Sequence, residues 1–223
     1  MSPLDLLFPP RCLLCGELLR EPGDLCGKCR KQAPWCRNRK TKPQFLDSIT
    51  AVWYYKGNVR ASLLRFKFGH KPHLARGYGR YLGAVLQKAH PEGFDVVTWV
   101  PTAFWRRFRR GYDQARLVAE ALSPTLSQKP RRLLRKIRNN PAQSGLSDPA
   151  MRRANVMGVY RLAGRQDLRG KRVLLVDDIF TTGATAGECA RILRAAGARE
   201  VHCAAVALAG QKESHPNTPS SVS

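Results

Sequence analysis

Short apolar runs recur along the chain with two different spacings, and each spacing predicts a different kind of element. Runs rich in β-branched and aromatic residues predict strands at 48–55, 95–101, 158–162, 172–176 and 200–208. Apolar residues three and four positions apart predict helices at 59–68, 74–89, 113–122 and 184–196. Because the strands alternate with helices, the pattern favours an α/β fold, with a mostly parallel sheet covered by helices on both faces.

Three segments have too few apolar residues to contribute to a core. Residues 37–43 are basic, as expected of a linker, and residues 131–155 are polar and interrupted by Pro and Gly after a short strand-like start. We expect the second segment to be a mobile loop. The last residues are rich in Ser, Pro, Thr and Asn, which predicts a disordered tail. The chain is thus predicted to comprise an N-terminal module with its linker (1–45), a main domain (46–210) and a tail (211–223).

The charge of the chain is strongly positive. Thirty-nine Lys and Arg against 16 Asp and Glu give a formal net charge of +23. Such a chain attracts polyanions, whether nucleic acid, nucleotide, pyrophosphate or an anionic membrane surface, although a codon bias towards Arg is an alternative explanation. The longest apolar run, residues 203–209, is far shorter than the roughly 18 residues of a membrane span, and the N-terminus does not resemble a secretion leader. We therefore expect a cytoplasmic location.

Five of the seven cysteines lie in the first 36 residues. Cys12, Cys15, Cys26 and Cys29 form two C-x-x-C pairs separated by ten residues. Four thiolates at this spacing can close a tetrahedral shell around Zn²⁺, and a closed shell leaves no position for a substrate, so we expect a structural zinc. An iron–sulfur cluster or a redox dithiol is the alternative, but no thioredoxin-like pattern surrounds either pair. Cys36 lies outside the pairs and is expected to be a free thiol.

The stretch VLLVDDIFTTGATAGE, residues 173–188, carries the densest candidate chemistry. Asp177 and Asp178 follow an apolar strand, at the end where open α/β sheets bind ligands. The turn at 181–185 then opens a helix, so its backbone N–H groups, its hydroxyls and the helix dipole can all face a phosphate. The aspartates suit ribose hydroxyls or waters around Mg²⁺. Alternatively, the aspartates only solvate a strand end and Thr181 caps the helix, but capping needs one hydroxyl and the turn offers three.

The apolar strand, Asp-Asp and Thr-Thr-Gly-x-Thr together resemble the 5-phosphoribosyl 1-pyrophosphate (PRPP) signature of type I phosphoribosyltransferases. With the four-cysteine module, RRGYDQA at 109–115 and NPAQSGLS at 140–147, the chain resembles the ComF family, which includes the GntX proteins of bacteria. The resemblance covers residues 5–210. It implies a type I phosphoribosyltransferase-like sheet behind a small zinc ribbon, and a role in DNA uptake or utilisation.

The resemblance also implies roles for individual residues. The residues implied to bind PRPP are Asp177, Asp178, Thr181, Thr182, Gly183, Ala184 and Thr185. The aspartates would hold the ribose hydroxyls beside Mg²⁺, and the turn would surround the 5-phosphate. Arg109 and Arg110 would contact the pyrophosphate, and residues 139–155 would form a hood loop that closes over the site. Family members commonly have Asn where this chain has Asp113, which we expect to cap the next helix equally well.

Two functions from different classes fit these features. The first is a transferase, in which a nucleophile replaces the pyrophosphate of magnesium-bound PRPP, although no feature specifies the acceptor or a catalytic residue. The second is single-stranded DNA binding without catalysis, by phosphate contact and base stacking. The aromatic residues available for stacking are Trp35, Trp53, Tyr54, Tyr55, Trp105, Phe108 and Tyr112, although such residues are more often part of a core. In a third interpretation, the zinc module recruits a protein partner such as a helicase or an uptake component.

Overall fold

The computed structural model of the chain describes residues 9–36, 43–103, 108, 110–138 and 155–209. The strands are β1 (Ser48–Tyr54), β2 (Val96–Trp99), β3 (Leu134–Lys136), β4 (Tyr160–Leu162), β5 (Arg172–Phe180) and β6 (Glu200–Leu208). The helices are α1 (Gly27–Gln32), α2 (Gly57–Phe68), α3 (Leu74–Ala89), α4 (Gln114–Ala121), α5 (Ser123–Leu126) and α6 (Ala184–Ala195). Residues 37–42 of the predicted linker, residues 139–154 of the predicted loop and the predicted tail from 211 lie outside the described residues.

Four strands form one parallel sheet in the order β1-β6-β5-β2. Its two faces bury separate clusters, because successive residues of β5 point to opposite sides: Leu174 and Val176 to one, Val173 and Leu175 to the other. The first cluster contains side chains of α2, α3 and α4, and the second contains side chains of α6 and of the β3–β4 ribbon. This arrangement confirms the predicted α/β fold with helices on both faces.

The strand predicted at 158–162 does not join the main sheet. As β4, it pairs antiparallel with β3 in a separate two-stranded ribbon, with Arg135 opposite Arg161. Each of these strands has only three residues, and in each the buried first position is followed by an exposed Arg. Such short strands with one buried face pack over the edge of a core but do not fit inside a sheet that is buried on both faces.

Strand β5 is longer than predicted, and this changes the position of the two aspartates. Asp177 and Asp178 lie within β5, whereas the sequence placed them just after it. The pairing with β6 continues to Phe180, opposite Leu208, and holds the chain extended through both aspartates. The pairing with β2 stops earlier, since the last register pair joins Trp99 to Val176. Beyond that point one side of β5 is open, which creates a crevice at the carboxyl ends of β2 and β5.

The cysteine module packs into the first core cluster. Leu13, Leu14 and Leu25 of the module are buried together with side chains of α2 and α3. The Ser62 hydroxyl donates to the Leu13 carbonyl, and the Arg65 guanidinium donates to the Leu14 carbonyl at 2.8 Å. One face of α2 is therefore covered by the module. A membrane-spanning helix is absent from the part of the chain that the structure describes.

Candidate functional site

A cavity of about 340 Å³ opens in the crevice at the carboxyl ends of β2 and β5. We call it the aspartate cavity. Its polar and charged lining residues are Tyr55, Lys67, Thr102, Arg110, Gln114, Lys136, Tyr160, Asp177, Asp178, Thr181 and Thr185. The structure thus brings both predicted aspartates, part of the predicted phosphate turn and one predicted arginine to a single cavity.

The two aspartates have different environments, although they are adjacent in sequence. The Asp178 backbone N–H donates to Asp177 Oδ1 at 2.8 Å, which fixes the Asp177 carboxylate against the strand. Burial and the neighbouring Asp178 carboxylate raise the pKa of Asp177 well above its ordinary value. Asp178 instead forms an ion pair with Lys67, whose Nζ lies 2.8 Å from Oδ2, and both side chains are at most 20% exposed. Lys67 therefore neutralises one of the two carboxylates at the cavity wall.

The turn between β5 and α6 depends on Gly183. Its φ of 82° lies in the left-handed region that favours glycine, and a Cβ there would lie 2.4 Å from Pro43 Cγ and 2.5 Å from Phe180 Cζ. The Gly183 carbonyl accepts from the Gly187 N–H at 2.7 Å, which closes the first turn of α6. Glycine at this position therefore lets the chain turn sharply from the strand into the helix, beside the cavity.

The predicted phosphate-turn residues divide into two groups. Thr181, Gly183 and Thr185 line the aspartate cavity. Thr182 and Ala184 are not among the described residues that line the cavity. Instead, the Thr182 hydroxyl accepts from the Ala184 N–H at 3.4 Å and so stabilises the turn from within. The resemblance implied that all five bind PRPP, since a motif does not show which of its side chains face the cavity.

Arg110 and Gln114 also line the cavity. Arg110 Nη1 donates to Gln114 Oε1 at 3.1 Å, and the Arg110 guanidinium carbon lies 4.9 Å from the ring centroid of Phe68. Gln114 is only 1% exposed, and its Nε2 has no hydrogen-bond partner within the described ranges. This amide can donate to a ligand in the cavity. Arg109, the other predicted pyrophosphate residue, lies outside the described residues.

Asp113 caps helix α4, as predicted. Its carboxylate accepts from the Arg116 backbone N–H at 3.3 Å, and also from the Thr102 N–H at 3.1 Å and the Thr102 hydroxyl at 3.3 Å. Burial raises the pKa of Asp113. The cap therefore joins the start of α4 to the segment that follows β2, and it fixes the wall that carries Gln114.

Sequence reasoning missed several residues of the cavity. The sequence motifs assign no role to Lys67, and they include Gln114 only as part of RRGYDQA. Lys136 and Tyr160 come from the β3–β4 ribbon, with Lys136 Nζ 5.6 Å from the Tyr160 ring centroid. Nothing local in the sequence marks these two residues, because only the packing of the ribbon brings them to the cavity.

The four predicted zinc ligands form one cluster. The Sγ atoms of Cys12, Cys15, Cys26 and Cys29 all lie within 4.8 Å of one another, and those of Cys15 and Cys26 are 3.7 Å apart. A tetrahedral Zn²⁺ site with Zn–S bonds of about 2.3 Å has S···S edges of about 3.8 Å, so the cluster fits this metal. Cys36 is outside the cluster, as predicted.

Backbone and side-chain donors also surround the sulfur atoms. The Cys26 N–H donates to Cys12 Sγ at 3.4 Å, and the Cys29 N–H donates to Cys26 Sγ at 3.4 Å. Asn58 of α2 donates from Nδ2 to Cys29 Sγ, also at 3.4 Å. Such donors stabilise thiolates and orient metal ligands. Because Asn58 belongs to the main domain, the cluster and α2 support each other.

Comparison with solved structures finds phosphoribosyl proteins. Phosphoribosylpyrophosphate synthetase from Mycobacterium smegmatis is 24% identical with a TM-score of 0.37, over 58% of this chain and 33% of that one. Glutamine PRPP amidotransferase from B. subtilis is 24% identical with a TM-score of 0.43, over 64% of this chain and 30% of that one. The chain thus spans about a third of the length of these two proteins.

Sequence comparison covers more of the chain. The phosphoribosyl transferase domain model matches residues 109–223, and the double zinc ribbon domain model matches residues 3–41. Competence protein F of Haemophilus influenzae is 30% identical over 206 residues, which are 86% of this chain and 82% of that protein. Competence protein ComFC of Bacillus subtilis is 27% identical over 82% of this chain and 70% of its own. DNA utilization protein YhgH of Escherichia coli K12 is 28% identical over 85% and 86%, respectively. The chain therefore belongs to the competence protein F (ComF) family, in which a double zinc ribbon precedes a phosphoribosyl transferase domain.

Proposed function

We propose that this chain binds magnesium PRPP, or a related phosphoribosyl ligand, in the aspartate cavity, and that this binding serves DNA uptake or utilisation. One observation carries the proposal: two carboxylates and the turn at a helix N-terminus lie on the wall of one cavity. The names of the relatives, competence protein F and DNA utilization protein, support the cellular role.

In this proposal the turn at the start of α6 binds the 5-phosphate. Thr181 and Thr185 offer hydroxyl groups to the cavity, and Gly183 lets the chain turn sharply from β5 into α6 beside it. The N-terminus of a helix favours negative charge through its unpaired N–H groups and its dipole. A phosphate here would share the cavity with the carboxylates of β5.

The carboxylates would accept hydrogen bonds that the ribose hydroxyls donate. Asp177 and Asp178 also supply the hard oxygen ligands that Mg²⁺ prefers, so a magnesium ion would neutralise charge between them and the pyrophosphate. Lys67 supplies part of this neutralisation already, through its ion pair with Asp178.

The pyrophosphate would lie towards Arg110 and Gln114. The guanidinium of Arg110 matches phosphate oxygens geometrically, and the Gln114 amide adds a buried donor beside it. Arg109 stays a prediction for the same role. Both groups would also stabilise pyrophosphate as it departs, since a positioned donor acts most strongly where negative charge develops.

Isothermal titration with magnesium PRPP tests the binding proposal. Wild type should bind, and the double variant Asp177→Asn, Asp178→Asn should lose at least about 100-fold in affinity, because both acceptors lose their charge and Mg²⁺ loses two anionic ligands. Glu120→Gln is the matched control, since it removes an exposed carboxylate outside the cavity. Equal affinity of wild type and the double variant would refute the assignment of the site.

Binding and catalysis are separated by the release of pyrophosphate. If the chain is a transferase, an acceptor should cause release of one pyrophosphate for each PRPP consumed, and the double aspartate variant should abolish it. A mixture of nucleobases and nucleosides serves as the first panel of acceptors. If PRPP binds but no acceptor causes release of pyrophosphate, the chain is a binding protein with a phosphoribosyl pocket.

A second candidate function is single-stranded DNA binding. Phe108 is 76% exposed, and Phe68 is exposed beside Arg110 at the edge of the aspartate cavity, so both can take a stacked base. Trp53 does not fit this role, because it is fully buried. Trp35 is 40% exposed, and its ring packs against Trp53 with centroids 5.5 Å apart. Trp105 lies outside the described residues.

Fluorescence anisotropy with a labelled single-stranded oligonucleotide tests this function. Phe108→Ala should weaken binding, since the loss of one stacked base costs about 1–3 kcal/mol. Phe45→Ala, at another exposed aromatic residue, is the control for a general effect. No binding at low salt would exclude direct DNA binding and would leave recruitment of a protein partner by the zinc module as the link to DNA.

A further inference from the structure

A second cavity adjoins the aspartate cavity. It has a volume of about 310 Å³ and lies between the end of β2, the start of α4 and strand β3. Arg116, Arg132, Lys136 and Trp99 form its walls, so we call it the arginine cavity. Lys136 and the segment Pro101–Thr102 line both cavities and separate them. A ligand in one cavity would therefore lie next to a ligand in the other.

The charges of the arginine cavity suit an anion. Three cationic side chains face it and only one carboxylate, Asp113, is among its lining residues. That carboxylate accepts three hydrogen bonds, two from Thr102 and one from the Arg116 backbone, so its oxygens are directed towards protein donors. The cationic charge is thus only partly balanced at the cavity surface.

Two of the arginines can engage a ligand at little cost. Arg132 is exposed and, within the part of the chain that the structure describes, has no carboxylate or hydrogen-bond partner for its guanidinium. Among the described residues, the one carboxylate in an ion pair with Arg116 is that of Glu120, four residues later on the same helix, and both side chains are more than 40% exposed. Such surface pairs contribute little to stability, so a phosphate can replace Glu120 as the partner of Arg116.

The size and walls of the cavity indicate what the anion carries. A volume near 300 Å³ is typical of sites for small organic ligands, and a phosphate group alone would leave most of it empty. Trp99 adds an aromatic ring to the wall, with the Arg116 guanidinium carbon 5.9 Å from its centroid. Proteins that bind single-stranded nucleic acid combine such aromatic rings, which stack on bases, with cationic side chains that contact the phosphates.

We propose that the arginine cavity binds a nucleotide, with its phosphate on Arg132 and Arg116 and its base against Trp99. That this nucleotide would lie next to a phosphoribosyl ligand rests on the proposed function of the aspartate cavity. The nucleotide site itself is independent of that function. The nucleotide is either free or the 5′-phosphorylated end of a DNA strand, since both present the same groups.

Isothermal titration with a deoxynucleoside 5′-monophosphate tests the site. Arg132→Ala should weaken binding about 10- to 100-fold, because a charge-assisted hydrogen bond to phosphate is lost. Arg131→Ala is the matched control: it removes the same charge from the adjacent residue, which lines neither cavity. The deoxynucleoside without phosphate should bind at least about 10-fold more weakly than the nucleotide.

Two further arms separate the sources of the nucleotide and the two cavities. In the first arm, an oligonucleotide with a 5′-phosphate is compared with the same oligonucleotide ending in a 5′-hydroxyl. If wild type prefers the phosphorylated oligonucleotide and Arg132→Ala does not, the ligand is a strand end. If the mononucleotide binds but neither oligonucleotide is preferred, the ligand is a free nucleotide. Magnesium PRPP is titrated in the same preparation. If PRPP fails to bind while the nucleotide still depends on Arg132, the proposed function fails and the nucleotide site stands.

Two outcomes would overturn the nucleotide site. Equal weakening by Arg131→Ala and Arg132→Ala would show that the chain attracts the phosphate only through its general charge. Complete loss of nucleotide binding at saturating PRPP would place both ligands in the aspartate cavity.

Discussion

Replacement of Gly183 by Ala tests the structural basis of the phosphate turn. The backbone at Gly183 has a φ of 82°, and a left-handed conformation costs a residue with a Cβ about 1–2 kcal/mol. The new methyl group would also lie 2.4 Å from Pro43 Cγ and 2.5 Å from Phe180 Cζ, closer than real Cβ contacts. Such overpacking typically destabilises a folded protein by a further amount of about 1–3 kcal/mol. The expected loss of unfolding free energy is therefore about 2–5 kcal/mol.

The matched control lies one helical turn further on. Gly187 belongs to α6, has ordinary helical geometry, and a Cβ there would lie 3.4 Å from Pro43 Cβ, which is close to ordinary contact. Gly187→Ala should change stability little or raise it by up to about 1 kcal/mol, since Ala is the better helix former. The pair therefore adds the same methyl group to two glycines that face the same proline.

Thermal unfolding followed by circular dichroism, with zinc present throughout, measures the difference. For a chain of this size, Gly183→Ala should lower the melting temperature by roughly 4–20 °C, and Gly187→Ala should leave it within a few degrees. Titration with magnesium PRPP should show weaker binding by Gly183→Ala even below its melting temperature, because the turn must shift away from Phe180. A Gly183→Ala protein as stable as Gly187→Ala would refute the argument from backbone conformation and close approach.

Three more predictions follow from the site and the cysteine cluster. The pKa of Asp177 is raised in the folded chain, so its own contribution to stability should fall as pH rises above about 4, where the unfolded aspartate is already ionised. As pH rises from about 4 to about 8, the free energy of unfolding of wild type should therefore fall relative to that of Asp177→Asn. Urea unfolding of both proteins measures this difference, and parallel pH curves would contradict it. Lys67→Met should lower the free energy of unfolding by about 1–3 kcal/mol, because it leaves the mostly buried Asp178 carboxylate without its cation. Lys71→Met, the control at an exposed lysine, should change the free energy of unfolding by less than about 0.5 kcal/mol. Removal of zinc by a chelator should lower the melting temperature of the main domain as well as that of the module, because Leu13 of the module packs in the same core as α2. An unchanged melting temperature of the main domain would show that the module does not contribute to its stability.

Most of the fold was predictable from local patterns. The strands at β1, β2 and β6 and the helices α2, α3, α4 and α6 were located to within a few residues, because the apolar periodicity of each element reflects which of its faces is buried. The strand at β4 was also predicted, but the sequence did not show that it pairs with β3 outside the main sheet. Strand pairing is a long-range property, and a run of three residues contains no information about its neighbour.

The chain's own sequence determined the chemistry of the two sites: the four thiols of the cysteine cluster, the paired carboxylates and the glycine-containing turn all follow from short motifs. Tertiary structure alone decided what surrounds them. Lys67 reaches Asp178 because α2 packs beside the end of β5, and Lys136 reaches both cavities because the β3–β4 ribbon folds over the edge of the core. Motifs arise from bonds and turns between near neighbours, whereas the counter-charges and walls of a cavity come from segments that are distant in sequence and meet only when the core is packed.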